Sequence, residues 1–164
     1  MNISVVSAVG HGRTELAAFD HALVQVGVGD FNLIPLSSVI PADCAVEPRA
    51  ELPGSFPRRH GDRLYVVMAQ ERSRVPGAWV GAAVGWTRIA DGRGWFVEHH
   101  LSGDDGDALR RDLDELVRDS LSDLCEHRGV RSGRTQIVGE VVQVAAQATC
   151  ALALATYRCE GWDG

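Results

Sequence analysis

One segment organises this chain: Gly27-Val-Gly-Asp-Phe-Asn-Leu-Ile-Pro-Leu-Ser-Ser-Val-Ile-Pro41. Its first residue is a glycine of the kind that ends helices, because glycine readily adopts the left-handed backbone conformation needed there. The run from Phe31 to Ser37 predicts a strand, and Pro35 restricts that strand to a sheet edge or an interruption, because proline has no N–H to donate. Val39 to Pro41 continues extended. The segment therefore predicts a helix end followed by an edge strand.

Upstream of this segment, the sequence predicts one strand and one helix. Residues 2–8 indicate a buried strand, and Gly10 to Gly12 indicates a turn after it. Thr14 is a favourable N-cap, and the acidic side chain that follows it suits the positive end of the helix dipole. The predicted helix covers Glu15 to Val26, and the residues at helical spacing on its apolar face are Leu16, Phe19, Leu23 and either Val24 or Val26.

Downstream, the sequence predicts a loop, several strands and one long helix. Residues 47–62 hold the loop-forming Pro48, Pro53, Gly54, Pro57 and Gly61, so they predict the longest loop. The long helix begins within Gly103 to Asp107 and closes at His127 to Gly129. The predicted strands cover Arg63 to Gln70, Ala78 to Ile89, Trp95 to Leu101, Thr135 to Val144 and Thr149 to Cys159, with a hairpin turn at Asp91 to Gly94 and the last two strands antiparallel. Roughly seven or eight strands and two helices indicate an α+β chain with helices covering sheet faces.

Composition narrows the classes of function. The 164 residues suit a single domain, placed at 1–164. The net charge of −6 argues against nucleic-acid binding, which needs a basic face, so Arg58-Arg59-His60 is expected to be a solvated loop. The chain lacks an apolar stretch long enough to span a membrane, and its N-terminus lacks the basic region of a signal peptide, so we expect a cytoplasmic protein without a membrane partner. We expect neither zinc nor disulfides but small buried side chains at Cys44, Cys125, Cys150 and Cys159.

Residues Gly12 to Pro41 resemble the pyruvoyl-dependent arginine decarboxylases without a gap. The shared runs are Phe-Asp-x-Ala-Leu at 19–23, Asn-Leu-Ile at 32–34 and Ser-Ser-Val-Ile-Pro at 37–41. A second match covers Trp95 to Glu98, and a weaker one covers Cys150 to Tyr157. The resemblance implies a four-layer αββα sandwich with mostly antiparallel sheets and two main helices. It also implies active sites between the subunits of a homotrimer, which could pair into a dimer of trimers.

The resemblance further implies that the chain cuts its own backbone between Ser37 and Ser38, into fragments 1–37 and 38–164. Serine suits this chemistry because its hydroxyl attacks the preceding carbonyl and its oxygen then leaves by elimination. Water converts the resulting dehydroalanine into ammonia and a covalently attached pyruvoyl group. Pro35 and Pro41 bracket the bond and could strain it. The pyruvoyl cofactor would act as the electron sink for decarboxylation of L-arginine to agmatine, the entry to polyamine synthesis.

Asp20 is the candidate for gripping the substrate tail. The helical spacing places Leu16, Asp20 and Leu23 on one stripe, where a carboxylate should face water or meet a partner. A guanidinium is a suitable partner, since it can form two parallel hydrogen bonds with a carboxylate. The resemblance implies a guanidinium-binding aspartate at this position, with the two leucines beside the substrate.

Glu98 is the candidate proton donor. Residues 96, 98 and 100 of its strand share one face, and apolar neighbours should desolvate the carboxyl and raise its pKa, which suits a general acid. The resemblance implies a catalytic glutamate here. It also implies an asparagine at Asn32 that holds the scissile carbonyl or the pyruvoyl group. Phe31 and Val39 would form apolar walls beside the substrate.

Glu98, His99 and His100 together suggest a metal site, but adjacent strand residues point to opposite faces, so we expect no metal. Two other functions remain open. One is a decarboxylase of the same fold acting on another amino acid. The other is an uncleaved homologue that serves as a binding or scaffold subunit. Cleavage at Ser38 separates the second possibility from an enzyme.

Overall fold

The computed structural model describes residues 1–52 and 59–162. These residues form, in order, β1 (Asn2–Gly12), α1 (Glu15–Gln25), β2 (Asn32–Pro35), β3 (Val39–Ile40), β4 (Ala45–Pro48), β5 (Arg63–Ser73), β6 (Trp79–Arg88), β7 (Gly94–Gly103), α2 (Gly106–Glu126), β8 (Gln136–Gln143) and β9 (Ala148–Glu160). The short strand β4 takes up the start of the predicted loop at 47–62. Pro53, Gly54, Pro57 and Arg58, on which loop predictions rested, lie outside the described residues.

Two sheets face each other, and each carries one helix on its outer side. The first sheet has the order β2-β5-β9-β1-β4, and the second has the order β3-β7-β6-β8. Pairing is antiparallel except between β1 and β4 and between β2 and β5. The helix α1 packs on β1, β9 and β5, whereas α2 packs on β6, β7 and β8. The four-layer αββα sandwich implied by the resemblance is thus confirmed.

The core between the sheets is built from side chains that alternate inward along the central strands. Val67, Val84, Phe96 and Ala153 belong to this core, which we call the inter-sheet core, together with Ile3, Val5, Ile40, Val80, Ala82, Trp86, Ala151, Ala155 and Tyr157. A separate apolar cluster lies beneath each helix. Burial of apolar surface in these three layers is the main force that holds the sandwich together.

The predicted turn at Gly10 to Gly12 is wrong, because β1 continues through both glycines. Gly10 pairs with Cys150 and Gly12 pairs with Ala148 on β9. A Cβ at Gly10 would collide with the Ala18 carbonyl, and one at Gly12 would lie 2.7 Å from the Ala18 nitrogen. The glycines therefore let α1 lie close on the sheet, which a local turn signal could not reveal.

The predicted apolar face of α1 is also partly wrong. The helix buries Ala18, Ala22 and Leu23, whereas Leu16 is 69% exposed. Small alanines face the sheet because β1 presents its glycines at that point. The predicted N-cap is confirmed, since the Thr14 hydroxyl accepts a hydrogen bond from the Ala17 N–H at 3.1 Å.

The helix α1 ends just before Gly27, as the sequence predicted. Gly27 has a φ of 81°, its N–H donates to the Val24 carbonyl, and the Val28 N–H donates to the Leu23 carbonyl. These two bonds form the Schellman arrangement that satisfies the last carbonyls of a helix. The start of the quoted segment is therefore fixed by local chemistry.

The last two strands were expected as an antiparallel pair, but β8 and β9 lie in different sheets. β8 pairs with β6, and β9 pairs with β1 and β5. Residues 148–157 of β9 are buried, so β9 forms the centre of the five-stranded sheet, a position that needs neighbours on both edges. Neither helix in the described parts of the chain is both long enough and apolar enough to cross a bilayer.

Candidate active site

The chain crosses from one sheet to the other at residues 36–38. On the upstream side, the Leu36 N–H donates to the Val66 carbonyl of β5 at 2.8 Å. On the downstream side, the Phe96 N–H of β7 donates to the Ser38 carbonyl at 2.8 Å. Leu36 and Ile40 both pack into the inter-sheet core. The Ser37–Ser38 bond therefore lies where the chain passes between the two sheets, and a hydrogen bond to each sheet holds the backbone on either side of it.

Ser38 has a strained backbone. Its φ is 70°, which makes it the one non-glycine residue with positive φ within 1–52 and 59–162. For an L-residue with a Cβ, this left-handed conformation costs about 1–2 kcal/mol. The sequence predicted strain near this bond from its flanking prolines, and the structure has it in Ser38 itself. The crossing between sheets maintains this conformation through the hydrogen bonds on both sides.

The Ser38 hydroxyl lies against Glu98. Its oxygen donates to Glu98 Oε2 at 3.0 Å. Phe96 and Glu98 share the strand face that is turned toward the other sheet, as the alternation along β7 predicted. Burial raises the pKa of the Glu98 carboxyl, and the hydrogen bond from Ser38 opposes part of that rise. The arrangement places a carboxyl of raised pKa next to the atoms of residue 38.

Tyr157 is a nearby residue that the sequence reasoning did not select. Its hydroxyl donates to the Val39 carbonyl at 3.0 Å, and its ring packs edge-on against Phe96 with centroids 6.0 Å apart. The signal available in the sequence was a tyrosine at the end of an apolar run, since a buried tyrosine hydroxyl needs a hydrogen-bond partner. Which partner it finds depends on the packing of the two sheets.

The two histidines after Glu98 take separate partners. His99 Nε2 lies 2.9 Å from the Ser120 hydroxyl on α2, whereas His100 Nδ1 lies 2.6 Å from Glu71 Oε2 on β5. Burial lowers the pKa of His99, with a smaller contribution from His100. Side chains directed to a helix on one face and a sheet on the other do not converge on one ion.

Of the other predicted substrate and positioning residues, Val39 adjoins Ser38, whereas the rest belong to other parts of the chain. Asn32 donates from Nδ2 to the Gly61 carbonyl at 2.7 Å. Phe31 and Leu23 belong to the buried cluster beneath α1, whereas Val39 is 56% exposed beside Ser38. Leu16 and Asp20 face outward on α1, on the outer layer of the other sheet. Their roles toward a substrate remain predictions.

Comparison with known proteins bears on the whole chain. The family model of the pyruvoyl-dependent arginine decarboxylases matches residues 2–160. The pyruvoyl-dependent arginine decarboxylases of Pyrococcus abyssi and Pyrococcus horikoshii are 30% and 31% identical to it over 149 residues, which is 91% of this chain and 89% of each relative. Pyruvoyl-dependent arginine decarboxylase 2 of Archaeoglobus fulgidus is 36% identical over 96 residues, 57% of this chain and 60% of the relative. With these matches and the crossing at Ser38, the chain belongs to the pyruvoyl-dependent arginine decarboxylase family.

Proposed function

We propose that this chain decarboxylates L-arginine to agmatine and carbon dioxide, with a pyruvoyl group made from its own Ser38. The observation that carries the proposal is the geometry of Ser38, which combines a left-handed backbone with a hydroxyl 3.0 Å from Glu98. The names of the relatives support the substrate and the cofactor.

The residues around position 38 fit the formation and retention of a pyruvoyl group. The serine hydroxyl supplies the oxygen that must attack and then leave. The Phe96 N–H holds the Ser38 carbonyl, a group that cleavage does not alter, so residue 38 would stay seated on β7 afterwards. Glu98 supplies a carboxyl beside the atoms that change.

The cleavage would proceed on the chain's own atoms. The Ser38 hydroxyl oxygen bonds to the Ser37 carbonyl carbon, its proton passes to the Ser38 nitrogen, and the peptide C–N bond breaks, which turns the amide into an ester with a free amine. Loss of the Ser38 α-proton and breakage of the Cβ–O bond release Ser37 as a carboxylate and leave dehydroalanine. One water then replaces the nitrogen, and one ammonia departs. Relief of the left-handed strain at Ser38 favours the first step.

Glu98 would serve as the proton donor in turnover. The pyruvoyl group, once formed, would supply an electron-withdrawing carbonyl next to the substrate α-carbon. Glu98 Oε2 would give its proton to that carbon after carbon dioxide leaves. A carboxyl whose pKa is raised by partial desolvation holds a proton more often at neutral pH than a fully solvated one does, which suits this role.

Asp20 would bind the guanidinium of the substrate. Asn32 would hold the scissile carbonyl or the pyruvoyl group. Asp20 and Leu16 face outward on α1, whereas Ser38 and Glu98 belong to the edge where β3 meets β7. We propose that neighbouring chains of a homotrimer contribute these two parts to one site. The exposed Leu16 and Val39 would then be covered by the partner and by substrate.

A mass spectrum of the purified full chain tests the proposal. We expect fragments 1–37 and 38–164, with the larger one lighter by one ammonia than a fragment that starts with an intact serine. That fragment should react with a carbonyl-specific hydrazide, and the sample should form agmatine from arginine. Ser38→Ala is the control, and it should stay intact and inactive. An intact wild-type chain would contradict the enzyme and favour a binding or scaffold subunit, whereas a cleaved chain inactive on arginine would point to another amino acid.

A further inference from the structure

We propose that Tyr157 is a positioning residue for self-cleavage, whose hydroxyl holds the Val39 carbonyl and so fixes the backbone on the downstream side of the Ser37–Ser38 bond. This inference rests on the proposed function, because it assigns a role in making the cofactor. Tyr157 would act through the backbone and would touch neither the scissile carbonyl nor the Ser38 hydroxyl.

The first observation is that two consecutive carbonyls after the scissile bond are both held. The Phe96 N–H binds the Ser38 carbonyl at 2.8 Å, and the Tyr157 hydroxyl binds the Val39 carbonyl at 3.0 Å. These bonds fix the orientation of two successive peptide planes. Because the planes after residue 38 are held, and the Leu36 N–H is held upstream by the Val66 carbonyl, the φ of 70° at Ser38 is maintained rather than relaxed.

The second observation is that Tyr157 belongs to the opposite sheet. The strand β3 has only two residue pairs with β7, Val39 with Trp95 and Ile40 with Gly94. Pairing with β7 alone therefore holds β3 weakly. Tyr157 contacts β3 from β9 of the five-stranded sheet. The same sheet also holds the upstream side of the bond, through Leu36 and Val66. The backbone on either side of the Ser37–Ser38 bond is thus held by hydrogen bonds from both sheets.

The third observation is that the Tyr157 side chain is itself held in place. It is 8% exposed, and its ring packs edge-on against Phe96, which in turn packs against Trp86 with centroids 6.0 Å apart. Burial raises the pKa of the Tyr157 hydroxyl, and the nearby Cys44 and Glu98 add to the rise. The hydroxyl therefore stays protonated and donates to the carbonyl from a fixed point.

The second tyrosine of the chain provides a matched control. Tyr65 also packs against the inter-sheet core, but its hydroxyl donates to Glu160 Oε2 at 2.9 Å. Tyr65→Phe and Tyr157→Phe each remove one hydroxyl and keep the ring. If a tyrosine hydroxyl mattered only for the stability of the sandwich, the two variants would behave alike. If the Val39 carbonyl must be held for cleavage, only Tyr157→Phe slows it.

The experiment follows cleavage after a pulse of cell-free synthesis of the full chain, and scores it only in the protease-resistant, folded fraction. We expect the half-time of cleavage to lengthen about tenfold in Tyr157→Phe, which corresponds to about 1.4 kcal/mol in the barrier. Tyr65→Phe should match wild type. Thermal unfolding of Ser38→Ala with and without Tyr157→Phe, both uncleaved, should show that the fold survives.

The outcomes separate the two claims. Cleavage of Tyr157→Phe at the wild-type rate, or equal slowing by Tyr65→Phe, overturns the role of Tyr157 and leaves the proposed function standing. Absence of cleavage in wild type overturns the proposed function. Should Tyr157→Phe leave no folded fraction, Tyr157→Met, which also lacks the hydroxyl and fills the site with a flexible apolar side chain, is scored in the same way. Absence of a folded fraction there also overturns the positioning role.

Discussion

The Ser38 hydroxyl donates a hydrogen bond of 3.0 Å to the Glu98 carboxylate, although 60 positions separate the two residues in sequence. They meet because Val39 pairs with Trp95, which brings the start of β3 beside β7. The contact places the proposed proton donor next to the atoms from which the cofactor would be made. It also links the pKa of Glu98 to the state of residue 38, since one of the influences on that pKa is the serine hydroxyl itself.

Glu98→Gln should separate cofactor formation from turnover. Glutamine keeps an oxygen that can accept the Ser38 hydrogen bond, so we expect cleavage to continue. It has no acidic proton to give, so decarboxylation should fall by about 100-fold or more. Mass spectrometry measures the first effect, and agmatine formation from arginine measures the second. A cleaved variant with wild-type turnover would rule out Glu98 as the donor.

The rate of decarboxylation should fall as the pH rises through the pKa of Glu98. The donor is active when protonated, and burial raises the pKa of Glu98 above its usual 4.5. Cleavage consumes the Ser38 hydroxyl, whose hydrogen bond lowers that pKa, so the cleaved enzyme should have a higher Glu98 pKa than the intact chain. The pH profile of kcat on the cleaved enzyme checks this. A rate that climbs steadily from mildly acidic to neutral pH would contradict it.

Asp20→Asn should weaken arginine binding without affecting cleavage. Loss of a charged partner for a guanidinium costs about 2–3 kcal/mol, so kcat/KM for arginine should drop about 30- to 150-fold. Glu15→Gln is the matched control, because Glu15 is another exposed acid on the same helix and should leave kcat/KM unchanged. Equal losses of kcat/KM in both variants would indicate a general charge effect and contradict a specific contact between Asp20 and the guanidinium.

Gly10→Ala should destabilise the fold by about 2–3 kcal/mol, because the added Cβ would force α1 away from β1. Gly103→Ala is the control, since its added Cβ would meet only Leu109 Cδ1 at 3.6 Å. Urea unfolding of both variants in the uncleaved Ser38→Ala background gives the free energy of unfolding. Similar stabilities for the two variants would show that the helix can shift without cost.

Several elements could be predicted because their signals are local. The cap at Thr14 and the glycine that ends α1 depend on residues within one turn of the helix. The alternation along β7, which directs Glu98 and His99 to opposite sides, depends only on strand geometry. The resemblance around Ser37 and Ser38 likewise lies in one uninterrupted run.

Other features could not be predicted because their signals lie in the partner element. The glycines of β1 resemble a turn until α1 is seen to pack on them. Leu16 fits the apolar spacing of a helix, yet it faces outward because the glycine-bearing sheet selects the alanine side. Periodicity identifies a helix, but not which of two adjacent stripes is buried.

By itself, the sequence determined the type of most elements, the α+β class, and the position of the bond proposed to break. Only the tertiary structure decided that this bond crosses between two sheets, that Ser38 has a left-handed backbone, and that its neighbours are Glu98 and Tyr157. The reason is physical: the contacts that create this geometry join residues 60 and 118 positions apart. Ser38 meets Glu98 only when β3 pairs with β7, and Val39 meets Tyr157 only when the two sheets stack.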